Sequence, residues 1–382
     1  MKVCVVSYSA EGLLTSSAGG SEWQSALLAT TLAARGHDVS FVVTGLAEAE
    51  DTVSGVRLRA GWDPDRGLRF IRAVTYRYPH LARVLRAQNA DVYYSRGAGF
   101  YTPFVARAAR ACRAVCLLGL ASDRDLYPDA APVLFGLEGS ALSPLVARLA
   151  HKTYRDWALR SASWVTVQNQ EQADACARLG LRNAMLPNIV LDPPAALGAV
   201  EPSRDALWAG NVLPGRRSKG LEELAELAAA LPSVTFTVAG ELAGDDHRRA
   251  IERLASLPNV DLRGSLPRDE TQAAIAAHRL VLNTSPSEGF SNVMLEGWAL
   301  GRPCVTLAVN PSRLLSGDRL GVCAGGDLAT MAAAVVALIK EPAARAAMGA
   351  RGRGYVAATH APAAVCQVFE KLAGAGSASG SV

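Results

Sequence analysis

The chain repeats one pattern. Short apolar runs alternate with longer amphipathic stretches through Trp164–Gln168, a proline-rich interval follows, and the alternation then begins again. In the first half the strand candidates are Val3–Val6, Val39–Val43, Val56–Arg59, Val92–Ser95, Val115–Leu118 and Trp164–Gln168, with helices over about 20–35, 68–86, 101–112, 143–160 and 170–178. In the second half they are Ala206–Ala209, Val234–Ala239, Val260–Arg263, Leu280–Leu282 and Cys304–Leu307, separated by helices over Leu221–Leu231, Thr271–Ala277, Ser291–Leu300 and Ala329–Lys340. Strands alternating with helices predict a parallel α/β sheet. The interval 187–204 carries Pro187, Pro193, Pro194 and Pro202, which break both ladders and helices. At 382 residues, half of them apolar, the chain exceeds what one core usually serves. The expected fold is α/β with two Rossmann-like domains facing across a cleft, over 1–190 and 191–355.

Several classes are disfavoured. The opening Val3–Val6 run is too short and too soon polar for a signal peptide, and no stretch is long enough to cross a bilayer. The seven cysteines are odd in number and scattered through apolar runs, which predicts free thiols and a reducing, cytoplasmic setting. Cys112 and Cys116 share helical spacing but lack a nearby ligand partner, so core packing is the better reading. Ten arginines between Arg66 and Arg113 are opposed only by Asp91. Residues 68–86 resemble a basic interfacial helix interrupted by Pro79, which would suit peripheral contact with an anionic membrane surface. The plainer reading is solvated arginines on packed helices. No nucleic-acid-binding signature is present. No Gly-x-Gly-x-x-Gly follows a strand with an acid downstream, which argues against a dehydrogenase.

The stretch with most chemistry is Ser-Pro-Ser-Glu-Gly-Phe-Ser-Asn-Val-Met-Leu-Glu-Gly over 285–297. It follows a buried strand candidate and opens a helix. A helix start offers N–H groups and a positive dipole end to phosphate. Gly289 lets backbone approach a ligand closely, and Glu288 and Glu296 suit sugar or ribose hydroxyls. Glu296 lies among Val293, Met294, Leu295 and Trp298, so a part-buried acid in need of a partner is expected. Lys219 is one of five lysines in the chain and ends a Gly-rich segment, Gly210–Gly220, between a strand and a helix. It is placed to clamp a diphosphate, with either Arg216 or Arg217 beside it. Gly19-Gly20-Ser21-Glu22 opens a helix after the first strand and suits a donor phosphate or an acceptor.

Together these segments resemble the family 4 glycosyltransferases of the GT-B fold. The stretches that carry the resemblance are Gly19–Glu22, Gly210–Gly220, Gly240-Glu241, Arg263-Gly264, Val167–Asn169, Leu186–Asn188 and above all Glu288–Glu296, which matches the family's Glu-x7-Glu pattern. The resemblance implies retaining transfer of a sugar from a nucleotide diphosphate sugar, UDP- or GDP-linked. The acceptor would be a glycan, a lipid-linked sugar or a small molecule, in bacterial polysaccharide or glycoconjugate synthesis. It assigns donor-sugar hydroxyls to Glu288 and the ribose to Glu296. Sugar and phosphates fall to Gly289, Phe290, Ser291 and Asn292, with Gly210, Gly19 and Gly20 also on the donor side. Lys219 and a nearby arginine would neutralise the leaving diphosphate, with no metal and no cofactor. It also implies a C-terminal segment, 356–382, whose helix crosses back to the first domain before a flexible tail.

Two departures stand out. Asn211 follows Gly210 where the family usually has arginine, and Leu117–Asp125 lacks the family's acceptor-side histidine. The acceptor-side candidates are therefore Glu22, Ser122, Asp123 and Asp125. A nucleotide-sugar 2-epimerase of the same fold and a non-catalytic nucleotide-binding partner are the rival readings.

Overall fold

The computed structural model describes residues 1–14, 19–44, 46, 51–63, 65–68, 72–126, 144–212, 214, 219–316 and 320–378. Two compact units result. One comprises residues 1–189 with 362–382, the other residues 190–361.

The sheet of the first unit contains β1 (Lys2–Ser7), β2 (Asp38–Val43), β3 (Thr52–Val53), β4 (Val56–Ala60), β5 (Val92–Arg96), β6 (Val115–Gly119), β7 (Trp164–Val167) and β8 (Asn183–Met185). Their spatial order is β3-β4-β2-β1-β5-β6-β7-β8, and every pairing is parallel except β3 with β4. Alternate residues enter separate cores, as the period of a strand requires. Val3 and Val5 face one core, with the Gly20–Ala34 and Pro362–Ala378 helices; Cys4 and Val6 face the other. Burial on both faces explains why the strands read as unbroken apolar runs.

The second sheet contains β9 (Arg204–Ala209), β10 (Phe236–Ala239), β11 (Val260–Gly264), β12 (His278–Asn283), β13 (Cys304–Thr306) and β14 (Gly321–Cys323). It is parallel throughout, in the order β11-β10-β9-β12-β13-β14. The chain winds outward one way from β9 and then the other way from β12. Such a reversal splays the loops at the carboxyl ends of the two central strands and leaves a crevice there. In the first unit the same reversal falls between β1 and β5.

Some expectations shift. The helix expected over 68–86 is not helical at Leu68, and 69–71 lie outside the described residues. A wide turn, Ala73–Arg77, leads into a regular helix at Tyr78–Gln88, and Pro79 sits in its first turn, where a missing N–H is harmless. Arg77 and Arg96 are buried rather than solvated, with Arg77 over the Trp62 ring. The Pro342–Thr359 helix passes through residue 355, and the turn to the last helix comes at His360–Ala361. All seven cysteines are free thiols. Among the described residues no helix is long and apolar enough to cross a membrane.

Candidate functional site

The site is built on the loops after β9 and β12. Trp208 in β9 sends its indole N–H to Thr284 Oγ1 (3.0 Å), and that hydroxyl donates to the Lys219 carbonyl (3.0 Å). Lys219 and Gly220 both take left-handed backbone, at φ of 51° and 76°. A Cβ on Gly220 would lie 2.0 Å from the Thr284 carbonyl oxygen, so only glycine lets the two loops meet. Gly210 serves the lysine side chain, because a Cβ there would stand 3.3 Å from Lys219 Cδ. Gly240 closes in the same way on the Gly210 carbonyl oxygen, at 2.1 Å from its would-be Cβ. Asn211 joins neighbouring loops. Its Oδ1 accepts from the Glu241 N–H (2.9 Å) and laces the loop after β9 to the loop after β10. Arg216 and Arg217 lie outside the described residues.

Lys219 Nζ stands 3.6 Å from Glu288 Oε1. The same oxygen accepts from Ser285 Oγ (2.8 Å), and the Ser285 N–H donates to Asn283 Oδ1 (2.9 Å). Lys219 remains 40 % exposed while Glu288 is largely shielded, at 17 %. The recess around them is lined by Trp208, Ala209, Lys219, Asn283, Ser285, Glu288, Ser291 and Met294, among others. Ser291 precedes the Asn292–Ala299 helix in extended backbone and does not cap it with its side chain. A cation, a carboxylate and a helix start thus converge on one crevice. They form a polar pocket suited to an anionic, hydroxyl-bearing ligand.

Behind this turn the backbone rests on aromatic packing. Gly289 and Phe290 are buried. The Phe290 ring meets Trp298 edge-on at 6.1 Å and His360 at 5.4 Å, and Tyr355 completes the cluster against Trp298. Glu296 lies further along the helix and is buried. It pairs with Arg268, the first residue of the Arg268–Ala277 helix. Burial pushes the Glu296 carboxyl above its ordinary range, and the Arg268 charge and hydrogen bond oppose that push. Arg268 was not singled out in the sequence because its partner is 28 residues away and no local spacing links the two. Ser285 and Thr284 were legible only as part of a turn.

The acceptor-side candidates lie in the first unit. Ser21 Oγ donates to Glu22 Oε2 (2.7 Å), and that oxygen would be 2.7 Å from a Cβ on Gly19. At the helix start expected to receive a phosphate at Gly19 and Gly20, the Glu22 carboxylate thus lies against Gly19, a favourable place for an anion. Asp125 is half-buried and its oxygens accept from the N–H groups of Ala121, Ser122 and Ala98, so it fastens the loops after β5 and β6. Burial raises its pKa and those three hydrogen bonds oppose the rise. Asp123 accepts from Gln172 Nε2 (2.9 Å), while burial raises its pKa. Among the described residues no group of three or more His, Cys, Asp or Glu is placed to hold a metal.

Comparison with known proteins bears on this arrangement. Residues 19–188 match the "Glycosyl transferase 4-like domain" model, and residues 203–341 match "Glycosyl transferases group 1". No curated protein sequence matches the chain. Among solved structures, sucrose-phosphate synthase from Thermosynechococcus elongatus superposes with a TM-score of 0.72 at 17 % identity, over 97 % of this chain and 98 % of that one. HepE of Anabaena, solved with UDP-glucose, gives 0.66 at 17 % identity over 97 % and 99 %. WaaG, a glycosyltransferase involved in lipopolysaccharide biosynthesis, gives 0.66 at 17 % over 97 % and 100 %. These likenesses carry the fold, and the two family models carry the membership. The chain belongs to the family 4, group 1 glycosyltransferases and is a glycosyltransferase of the GT-B fold.

Proposed function

We propose that the protein is a retaining transferase that takes a sugar from a nucleotide diphosphate sugar and passes it to a hydroxyl acceptor, without a metal ion. The observation that carries this reading is the Lys219–Glu288 pair, 3.6 Å apart at the carboxyl ends of β9 and β12 beside a helix start. Lys219 meets the leaving diphosphate, whose charge grows as the glycosidic bond breaks. A positioned cation and the helix start lower that barrier without reorganising. Glu288 receives donor-sugar hydroxyls, and Gly289–Asn292 bring backbone to the sugar and phosphates. Glu296 receives the ribose. The acceptor hydroxyl attacks the anomeric carbon from the face the diphosphate leaves, and the diphosphate takes its proton. The acceptor side falls to the first unit, where Ser122, Asp123 and Glu22 border the loops after β6 and β1.

HepE was solved with UDP-glucose, which favours a UDP-linked donor over a GDP-linked one. The setting is polysaccharide or glycoconjugate synthesis, with the enzyme in the cytoplasm. Arg83, Arg86, Arg107, Arg110 and Arg113 are exposed on or beside the Tyr78–Gln88 and Thr102–Ala111 helices. They suit the anionic headgroups of a membrane that carries a lipid-linked acceptor. Salt-sensitive co-sedimentation with phosphatidylglycerol vesicles checks that contact; equal binding to neutral vesicles would refute it.

The deciding experiment is a thermal-shift and hydrolysis screen against UDP-, GDP-, ADP- and TDP-sugars. Stabilisation by one diphosphate, with slow release of sugar from its donor, is the expected result. Appearance of the 2-epimer without acceptor would replace the transferase reading with an epimerase. Silence towards every nucleotide would remove the donor site from Lys219 and Glu288.

A further inference from the structure

Arg268 occupies an unfavourable place for a cation. It is the first residue of the Arg268–Ala277 helix, at the positive end of the dipole, whereas the next two residues, Asp269 and Glu270, suit that position. What offsets the misplacement is Glu296. The Arg268 guanidinium bonds to Glu296 Oε1, and its side chain is 24 % exposed against 8 % for the glutamate. Among the described residues Oε2 of Glu296 has no hydrogen-bond partner, and it is not sealed from solvent. One oxygen is committed to protein and the other is left open.

We propose that Arg268 is a positioning residue for donor binding: it holds Glu296 with Oε1 anchored and Oε2 turned to the ribose hydroxyls of the nucleotide. This rests on the reading that Glu296 receives the ribose. A carboxylate accepts hydroxyl hydrogen bonds far better ionised than protonated, and a buried carboxylate stays ionised only beside a countercharge. Burial raises the Glu296 pKa and Arg268 is what opposes the rise. Other charged or titratable groups on neighbouring elements are engaged elsewhere, neutral or exposed. Arg279 pairs with Asp205, His278 bonds to Thr237, and Arg345 donates to the carbonyls of Leu338 and Ile339. Arg353 lies against Gly301, His360 and Tyr355 pack with Phe290 and Trp298, and burial keeps the Cys304 thiol neutral. Arg351 on the Pro342–Thr359 helix, like Asp269 and Glu270, is exposed to solvent, which screens its charge. Removing Arg268 therefore leaves Glu296 to take up a proton at a higher pH than before.

The test compares affinities of UDP, GDP, their 2′-deoxy counterparts and inorganic pyrophosphate by titration calorimetry, from mildly acidic to mildly alkaline pH. Wild-type protein should prefer its ribonucleotide over the 2′-deoxy form by about ten- to a hundredfold, the range for a hydrogen bond to a charged group. In Arg268→Met that preference should collapse at neutral pH and return as pH rises, while pyrophosphate, which has no ribose, binds as before. Arg268→Lys should keep most of the preference, and Glu296→Gln should lose it at every pH. An unchanged preference in Arg268→Met, or a parallel loss of pyrophosphate binding, overturns the proposal. If Arg268→Met does not fold, collapse of the preference in folded Arg268→Lys at all pH values overturns it instead. Absence of any 2′-hydroxyl preference in the wild type sinks the Glu296 reading itself, and the role of Arg268 with it.

Discussion

At the scale of single residues, the site depends on groups that do little for the fold. The Lys219 amine reaches into the recess from a side chain 40 % exposed, so its loss should leave the melting temperature nearly unchanged. Lys219→Ala and Glu288→Gln should each lower kcat by about a hundred- to a thousandfold, the range for removing one transition-state-stabilising contact. Near-wild-type turnover in either purified variant would remove that residue from the chemistry. Glu288 and Glu296 were legible because they share one contiguous stretch, and Lys219 because it ends a second, Gly-rich one: in each a strand end, a glycine turn and a helix start place the side chains locally. Arg268 was not, because a buried ion pair is a property of two helices packed together. Nor was the placement of Glu22, since a Gly-Gly-Ser-Glu run does not say whether its glutamate turns back against Gly19.

At the scale of elements, strands were easier to read than the last helices. The Pro342–Thr359 helix carries Gly349, Gly352 and Gly354, and glycine weakens the helical signal. Packing explains two of the three. A Cβ on Gly349 would lie 2.1 Å from the Gly301 carbonyl oxygen, and one on Gly352 would lie 3.1 Å from Trp298, whereas Gly354 has nothing within 4 Å. Gly349→Ala should therefore destabilise the protein in chemical denaturation. Gly354→Ala should stabilise it by about 0.5–1 kcal/mol, the ordinary helical difference. Equal effects would mean that the helix does not lie on Gly301. The Pro362–Ala378 helix is tied to the Gly20–Ala34 helix through Glu370, which accepts from Arg35 Nε (2.8 Å) and meets His37 Nε2 (2.9 Å). Hydrogen bonds from Arg35 and then His37 hold the Glu370 carboxyl at about 2, below its ordinary 4.5. A depressed carboxyl stabilises the fold above its unfolded pKa and loses that contribution as pH falls through the folded value. The melting-temperature deficit of Glu370→Gln should thus be full above pH 4.5 and fade towards pH 2; a deficit independent of pH would refute the pairing.

At the scale of the molecule, two repeated sheets and a proline-rich junction were visible as an interrupted alternation. The path of the chain came only with the family resemblance, which implies a last helix crossing back to the first domain; composition by itself does not say which sheet a terminal helix joins. Residues 362–378 complete the core of the first unit: Val365, Cys366, Phe369 and Leu372 are buried there with Leu28, Leu32 and Phe41. Each large buried apolar side chain contributes roughly 1.5–3 kcal/mol. Losing several at once rivals the 5–15 kcal/mol that typically holds a whole domain, as an order-of-magnitude guide. A chain stopped after Ala361 should therefore be cut by protease first within residues 1–189 and only later within 190–361, as mass spectrometry of the fragments would show. Early cleavage in the second unit would contradict this.

The same path sets an order on synthesis. The ribosome makes the first unit's strands at the outset but delivers that unit's closing helix only after all of the second unit has emerged. The half of the protein that begins first is thus completed last. Its apolar surface, with Leu28 and Leu32 on the Gly20–Ala34 helix and Phe41 on β2, waits exposed while the other half can already close. During that interval the nascent chain is open to chaperones, and to aggregation with neighbouring copies on the same message.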